Sequence, residues 1–280
     1  MTQDPAEPSE QPILMGDNGL FGIVSEPCAI RRNTGVILLN SGLLHRVGPS
    51  RLYVHLSRQL ARLGFVSARI DVSGKGDTPR RQGVNVEQSL LYDYDDVCQT
   101  LHSLYGLDRF ILVGLCSGAD DACAVAYQRD NVAGLVLLDG YAAKTIRYYF
   151  RYYKSRIFNL GSWTTASRRL FNRILHIMRR IDADESELTI PEVRHFASIE
   201  EARRAFEQIS QHCERCLCIY TSASEKYYNY EGQLGRRFPT FRPKGGLCEI
   251  YLPAAKHTYP LAHHRRFAVE NICDWAATFT

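Results

Sequence analysis

Apolar residues in this chain come in short unbroken runs, separated by stretches with helical spacing. Gly35-Val-Ile-Leu-Leu-Asn40, Phe65 to Val72, Arg109 to Leu115 and Val132 to Leu138 are such runs, the pattern of strands buried on both faces of a sheet. Between them, Ser50 to Leu63 places Leu52, Leu56, Leu60 and Leu63 at helical intervals and stops at Gly64. Val86 to Tyr105 predicts a second helix, closed by Gly106. Ahead of these, Ile13 to Val24 carries apolar pieces around Gly16-Asp17-Asn18-Gly19, which predicts a hairpin. Strand and helix alternating at this spacing predict βαβ units and a mostly parallel sheet.

The alternation breaks after Asp139. Tyr141 to about Gln211 reads as helical, basic and aromatic, with Tyr148-Tyr149-Phe150 and Tyr152-Tyr153 near its start. Strands resume at Cys216 to Tyr220 and at Leu247 to Leu252, and a last helix runs from Leu261 to Trp275. The expected organisation is a loose tail at 1–12, a core formed by 13–140 and 213–280, and a helical basic lid at 141–212. An insertion at that point would cover the carboxyl ends of the strands, where open α/β sheets bind ligands.

Composition narrows the class without choosing a function. Hydrophobic content of 45% and charged content of 23% suit a globular protein, and no run approaches the roughly 20 apolar residues of a membrane span. The first twelve residues are polar, with no apolar core of a signal peptide. Nine cysteines, an odd number set in apolar patterns, point to reduced thiols in a cytoplasm. Cys213-x-x-Cys216 beside His212 has no second pair at metal-site spacing, so no metal is expected. The net charge of +4 is modest, but residues 141–180 hold ten Lys/Arg and no Asp or Glu. Nucleic acid also takes basic aromatic surfaces, yet no recognised binding motif is present and none is expected to bind.

The candidate chemistry sits at Phe110-Ile-Leu-Val-Gly114-Leu115-Cys116-Ser117-Gly118-Ala119, an apolar run leading through small residues into a helix. This is the setting of a nucleophile elbow, which needs small residues two before and two after the nucleophile. Centred on Cys116 these are Gly114 and Gly118; centred on Ser117 they are Leu115 and Ala119, and Leu115 would clash. Cys116 is therefore the expected nucleophile, at a helix N-terminus that favours thiolate.

The ordered set of Asn40-Ser41-Gly42-Leu43, Asp71-Val-Ser-Gly-Lys-Gly-Asp77, Gly114 to Gly118, the helical insertion and a late His257 resembles the α/β-hydrolase superfamily over residues 13–280. The fold this implies is α/β, a mostly parallel central sheet flanked by helices, with a helical lid insertion. Within the superfamily the chain resembles the hydrolases found with exosortase systems. It also resembles the cysteine-dependent acyl and aminoacyl transferases of peptide-synthetase assembly lines; dienelactone hydrolases share a cysteine elbow. Three positions depart from the usual pattern: Ser73 stands where most relatives have Arg, Cys116 where most have Ser, and Glu225 near the usual acid position after the penultimate strand.

The resemblance implies His257 as general base. A His between a strand end and a helix start is also well placed to reach the elbow across the top of the sheet. For the acid that orients the ring, Glu225 is the first choice and Asp139, at the end of the preceding strand, the alternate. The oxyanion donors are expected to be the backbone N–H groups of Ser117 and Leu43, with Leu44 as alternate; side chains at these positions have no part in that role.

An acyl group on cysteine is a thioester, so exchange with another thiol is nearly balanced. The first expectation is a covalent acyl enzyme that needs no cofactor of its own. It would take an acyl or aminoacyl group from an acyl- or peptidyl-carrier protein, or from acyl-CoA, and pass it to a thiol or another acceptor. Arg147, Arg151, Lys154 and Arg156, with Arg168, Arg169 and Arg173, would meet the phosphate of phosphopantetheine or CoA. The alternatives are a hydrolase of esters, lactones or thioesters using the same residues, and a non-catalytic scaffold.

Overall fold

The computed structural model describes residues 8–28, 31–157 and 198–279, with the backbone alone for 153–157. Its eight strands are β1 (Ser9–Met15), β2 (Leu20–Glu26), β3 (Thr34–Leu39), β4 (Ser67–Ile70), β5 (Arg109–Leu115), β6 (Val132–Leu138), β7 (Arg215–Thr221) and β8 (Leu247–Leu252). They form one sheet in the order β1-β2-β4-β3-β5-β6-β7-β8. β1 and β2 are antiparallel and β2 is antiparallel to β4; every other pairing is parallel. The expected mostly parallel sheet is therefore present, and the predicted hairpin turns at residues 16–19, with Met15 paired to Leu20.

The continuous apolar runs became the central strands because helices cover both faces. Along β5, Phe110 and Leu112 face one core, while Ile111, Val113 and Leu115 face the other. The first core is completed by α2 (Val86–Tyr105), α3 (Ser117–Gln128), α5 (Ile199–His212) and the short α6 (Gln233–Arg237), the second by α1 (Leu52–Arg62) and α7 (Ala262–Ala276). Each fully buried Leu, Ile or Val side chain stabilises this arrangement by about 1.5–3 kcal/mol. Asn85 caps α2 by accepting the Gln88 N–H at 2.8 Å, and Gly106 ends it at φ 68°.

Two boundaries differ from expectation. β1 begins at Ser9, inside the stretch read as a tail. Glu10 holds it there: its carboxylate accepts from Arg58 and from the buried Arg69, the latter at 2.6 Å. Burial works to raise the Glu10 pKa, but the Arg58 hydrogen bond and the two guanidinium charges outweigh it, and the pKa is lowered.

The second difference lies at the far end of the insertion. α5 belongs to the core: Ala202, Phe206 and Ile209 are buried with the α3 residues. Two neighbouring parallel strands, β6 and β7, need such a crossover helix between them. Its Ser198 and Glu201 supply the start signal, Ser198 Oγ accepting the Glu201 N–H at 3.1 Å. Of the basic insertion proper, the structure describes α4 (Ile146–Ile157).

Candidate active site

β5 delivers Cys116 to the carboxyl edge of the sheet at φ 55°, ψ −119°, a backbone shape rare outside glycine. The flanking glycines are required. A Cβ on Gly114 would lie 2.0 Å from the Gly118 carbonyl oxygen, and one on Gly118 would lie 2.6 Å from that of Asn40. α3 starts at the next residue, and its first turn closes on the Cys116 carbonyl through Ala119 N (2.9 Å) and Asp120 N (3.2 Å). The Cys116 thiol is half-buried and stands close enough to the His257 ring to raise its pKa.

His257 follows β8, in the loop that leads into α7. Its Nδ1 stands 2.8 Å from Asp139 Oδ2, which leaves Nε2 for the sulfur. The hydrogen bond with Asp139, and after it the neighbouring Cys116 thiol, push the ring pKa up to about 10 against the opposing effect of burial. Asp139 is buried, at φ 48°. Its Oδ1 accepts from Thr221 N and Ser224 Oγ, each at 2.6 Å, and Oδ2 from Thr221 Oγ1 at 2.7 Å. Tyr227 OH donates to its backbone carbonyl at 3.3 Å.

The carboxylate against His257 is thus Asp139 and not Glu225, the first choice from sequence. β7 ends at Thr221 and continues as a 3₁₀ turn, Ser222–Lys226, that turns Ser224 inward and leaves Glu225 exposed. Thr221 and Ser224, which sequence reasoning passed over, put hydroxyl donors where the resemblance implied the acid. The signal was there: Thr221-Ser222-Ala223-Ser224 is rich in hydroxyls and has no Asp.

The loop after β3 reaches the elbow from the other side. Gly42 N donates to Ser117 Oγ at 2.8 Å, and Leu44 N to Ser41 O at 2.9 Å. The alternate donor Leu44 is therefore committed to its own turn. Among the described residues no acceptor takes the N–H of Leu43 or of Ser117, the expected pair. The loop is anchored by Asp71, buried at the end of β4, which accepts from Arg46 N (2.6 Å), Arg46 guanidinium (2.5 Å) and Asn40 Nδ2 (3.3 Å). Ser73, the departure from the usual Arg, bonds Asp93 through its N (2.6 Å) and Oγ (2.7 Å), and Arg81 adds a bond to the same carboxylate at 2.9 Å.

Among the described residues, five other than glycine have positive φ: Ser50, Arg51, Cys116, Asp139 and Tyr259. Cys116 and Asp139 touch His257, Tyr259 is two residues past it, and Ser50 Oγ donates to the Thr258 carbonyl at 2.8 Å. Four of these five thus gather about the His257 ring, so backbone strain among the described residues is concentrated there. Ser50 is a further residue that pattern reading missed.

Of the basic residues, Arg147 and Arg151 are exposed on α4, and the Arg147 guanidinium lies 4.9 Å from the centre of the Tyr230 ring. The side chains of Lys154 and Arg156, and all of Arg168, Arg169 and Arg173, lie outside the described residues. α4 is tied to the segment after β7 by Tyr148 OH to Lys226 O (2.7 Å), Thr145 Oγ1 to Tyr230 OH (2.6 Å) and Asn229 Nδ2 to Tyr148 O (3.0 Å). All nine cysteines are free thiols. Cys213 donates to the Arg215 carbonyl at 3.2 Å, and Cys216 faces Cys218 at 3.8 Å within the core. No helix among the described residues is long and apolar enough to cross a membrane.

No protein-family model matches the chain, and no curated protein matches it. Solved structures do. A dienelactone hydrolase from Anabaena variabilis is 13% identical, with a TM-score of 0.59 over 98% of this chain and 99% of that one. A thermostable carboxyl esterase from Bacillus coagulans is 14% identical, with a TM-score of 0.58 over 97% and 98%. A proline iminopeptidase from Mycobacterium smegmatis is 14% identical, with a TM-score of 0.55 over 96% and 100%. Likeness over whole chains at such low identity speaks for the fold, and the chain has the α/β-hydrolase fold.

Proposed function

We propose that this protein is an acyl-transferring enzyme that works through a covalent thioester on Cys116. The observation that carries the reading is a half-buried cysteine at positive φ beside the His257 ring, which is itself held at 2.8 Å by the buried Asp139. Cys116 gives its proton to His257, and the sulfur adds to the carbonyl carbon of the acyl donor. The charge that develops on the carbonyl oxygen meets the N–H groups of Ser117 and Leu43. The bond to the leaving thiol breaks, and that thiol takes the proton from the ring. An acceptor thiol then repeats the steps in reverse, giving its proton to His257 and releasing Cys116. Asp139 holds the ring with Nε2 toward sulfur throughout.

Donors with a phosphopantetheine arm, on CoA or on an acidic acyl- or peptidyl-carrier protein, fit the basic character of the insertion. Arg147 and Arg151 lie at its described end, and Lys154 and Arg156 continue the series in sequence. Intact-protein mass after incubation with a panel of acyl and aminoacyl thioesters tests the reading. The expected result is one adduct per chain that disappears in Cys116→Ala. A reactive thiol that takes no adduct from any donor overturns it.

A second reading, hydrolysis of an ester or lactone by the same residues, is favoured by the whole-chain likeness to a dienelactone hydrolase. Water then replaces the acceptor thiol. Product release measured with and without added thiol separates the two: a rate of free-acid formation that thiol does not change favours hydrolysis.

A further inference from the structure

We infer that the Ser117 side chain is a positioning residue for the oxyanion loop, a role beyond the backbone one expected from sequence. The inference rests on the proposed acyl chemistry for its kinetic arm and on geometry alone for its structural arm. Ser117 Oγ accepts the Gly42 N–H at 2.8 Å. This contact joins the residue after the nucleophile to the loop after β3, 75 positions earlier in the chain. Asp71 anchors the two ends of the loop through Asn40 and Arg46, and the tip between them is the part that Ser117 reaches. Gly42 is at φ 54° with nothing within 4 Å of where a Cβ would stand, and Leu43 is 91% exposed. On the far side of Leu43, the Leu44 N–H is held by Ser41 O at 2.9 Å. The Leu43 amide is thus suspended between two pinned amides, and one of the two pins is the Ser117 hydroxyl.

The consequence is chemical. An oxyanion donor acts only when it already points at the place where charge develops, and misplacement by about 1 Å costs roughly a hundredfold. Serine supplies both halves of the arrangement: its own N–H, which no described residue accepts, and a hydroxyl oxygen that holds the Gly42 N–H next to the opposite donor. Alanine keeps the first half and loses the second. Threonine keeps both.

Three measurements on wild type, Ser117→Ala and Ser117→Thr test this. Amide hydrogen exchange at Gly42 is expected to be about tenfold faster in Ser117→Ala than in wild type, and near wild type in Ser117→Thr. Acylation of Cys116 by a thioester is expected to fall about ten- to a hundredfold in Ser117→Ala at saturating donor, and to return in Ser117→Thr. Alkylation of Cys116 by iodoacetamide, which develops no oxyanion, is expected to be unchanged in all three. Unchanged Gly42 exchange in Ser117→Ala, or acylation within twofold of wild type, overturns the inference. So does a parallel fall in alkylation, which would place the effect on the thiol itself. If no donor acylates the wild type while Gly42 exchange still rises in Ser117→Ala, the loop contact stands and the acyl-transfer reading falls.

Discussion

β6 and β7 run side by side, with Leu138 paired to Ile219, and a carboxylate follows each: Asp139 directly after β6, Glu225 in the turn beyond β7. Their surroundings are opposite. Asp139 is buried, accepts three hydrogen bonds from Thr221 and Ser224, and meets His257 at 2.8 Å. Glu225 is exposed, and its backbone carbonyl, not its carboxylate, accepts from Tyr148 OH at 3.1 Å. Backbone shape produces the difference. β6 is followed by a residue at φ 48°, whose carboxylate meets donors from the neighbouring strand end; β7 is followed by a 3₁₀ turn that buries Ser224 and exposes Glu225. The neighbouring strand end thus contributes donors to an acid it does not itself carry.

Exchanging the two carboxylates for amides is the strongest way to break this comparison. Asp139→Asn is expected to lower the rate of Cys116 acylation by about three to four orders of magnitude, since an amide in that place favours the wrong ring tautomer. Glu225→Gln is expected to stay within twofold of wild type. Rapid-quench mass spectrometry on the two variants decides it, and the reverse outcome would return the acid to the β7 turn.

A smaller effect concerns the ring itself. His257 is raised from 6.5 to about 10 in the folded chain, first by Asp139. A histidine raised on folding stabilises fully below its unfolded pKa and loses that contribution as pH climbs through the folded one. The stability gap between wild type and Asp139→Asn should therefore be widest below pH 6.5 and close toward pH 10. Urea midpoints of the pair across that range measure it, and a gap that widens with pH contradicts the assignment. The upper limb of the acylation profile should likewise move down from near pH 10 in Asp139→Asn.

What could be read in the sequence was what local pattern determines. β5, β6, β8 and α2 fall at their expected residues, because continuous apolar runs and an Asn–Gly pair of caps mark them. Cys116 was legible for the same reason: its constraint lies two residues to either side, at Gly114 and Gly118. Asp139 was legible only as the alternate acid, since the partners that set it above Glu225 are 82, 85 and 118 positions away. The first half of β1 escaped notice because Glu10 looks like tail composition until Arg58 and Arg69 are brought to it from α1 and β4. α5 was hidden in the basic insertion, although Ser198 and Glu201 mark its start.

The finest distinction lies within the cage around Asp139. Thr221 contributes both an amide and a hydroxyl, Ser224 a hydroxyl alone, and each hydroxyl goes to a different carboxylate oxygen. Thr221→Val removes the donor to Oδ2, the oxygen that also meets His257; Ser224→Ala removes a donor to Oδ1, which keeps the Thr221 amide. Each loss is expected to cost about 1–3 kcal/mol of stability, because a buried carboxylate is left short of a donor. Their kinetic effects should part. In Thr221→Val the carboxylate is free to shift on the side that orients the ring, and acylation is expected to fall about tenfold. In Ser224→Ala the ring contact is untouched, and the fall should be about twofold. Equal kinetic losses at equal stability cost would mean that the cage holds Asp139 as one rigid unit, and that the β7 end orients His257 no more through one oxygen than through the other.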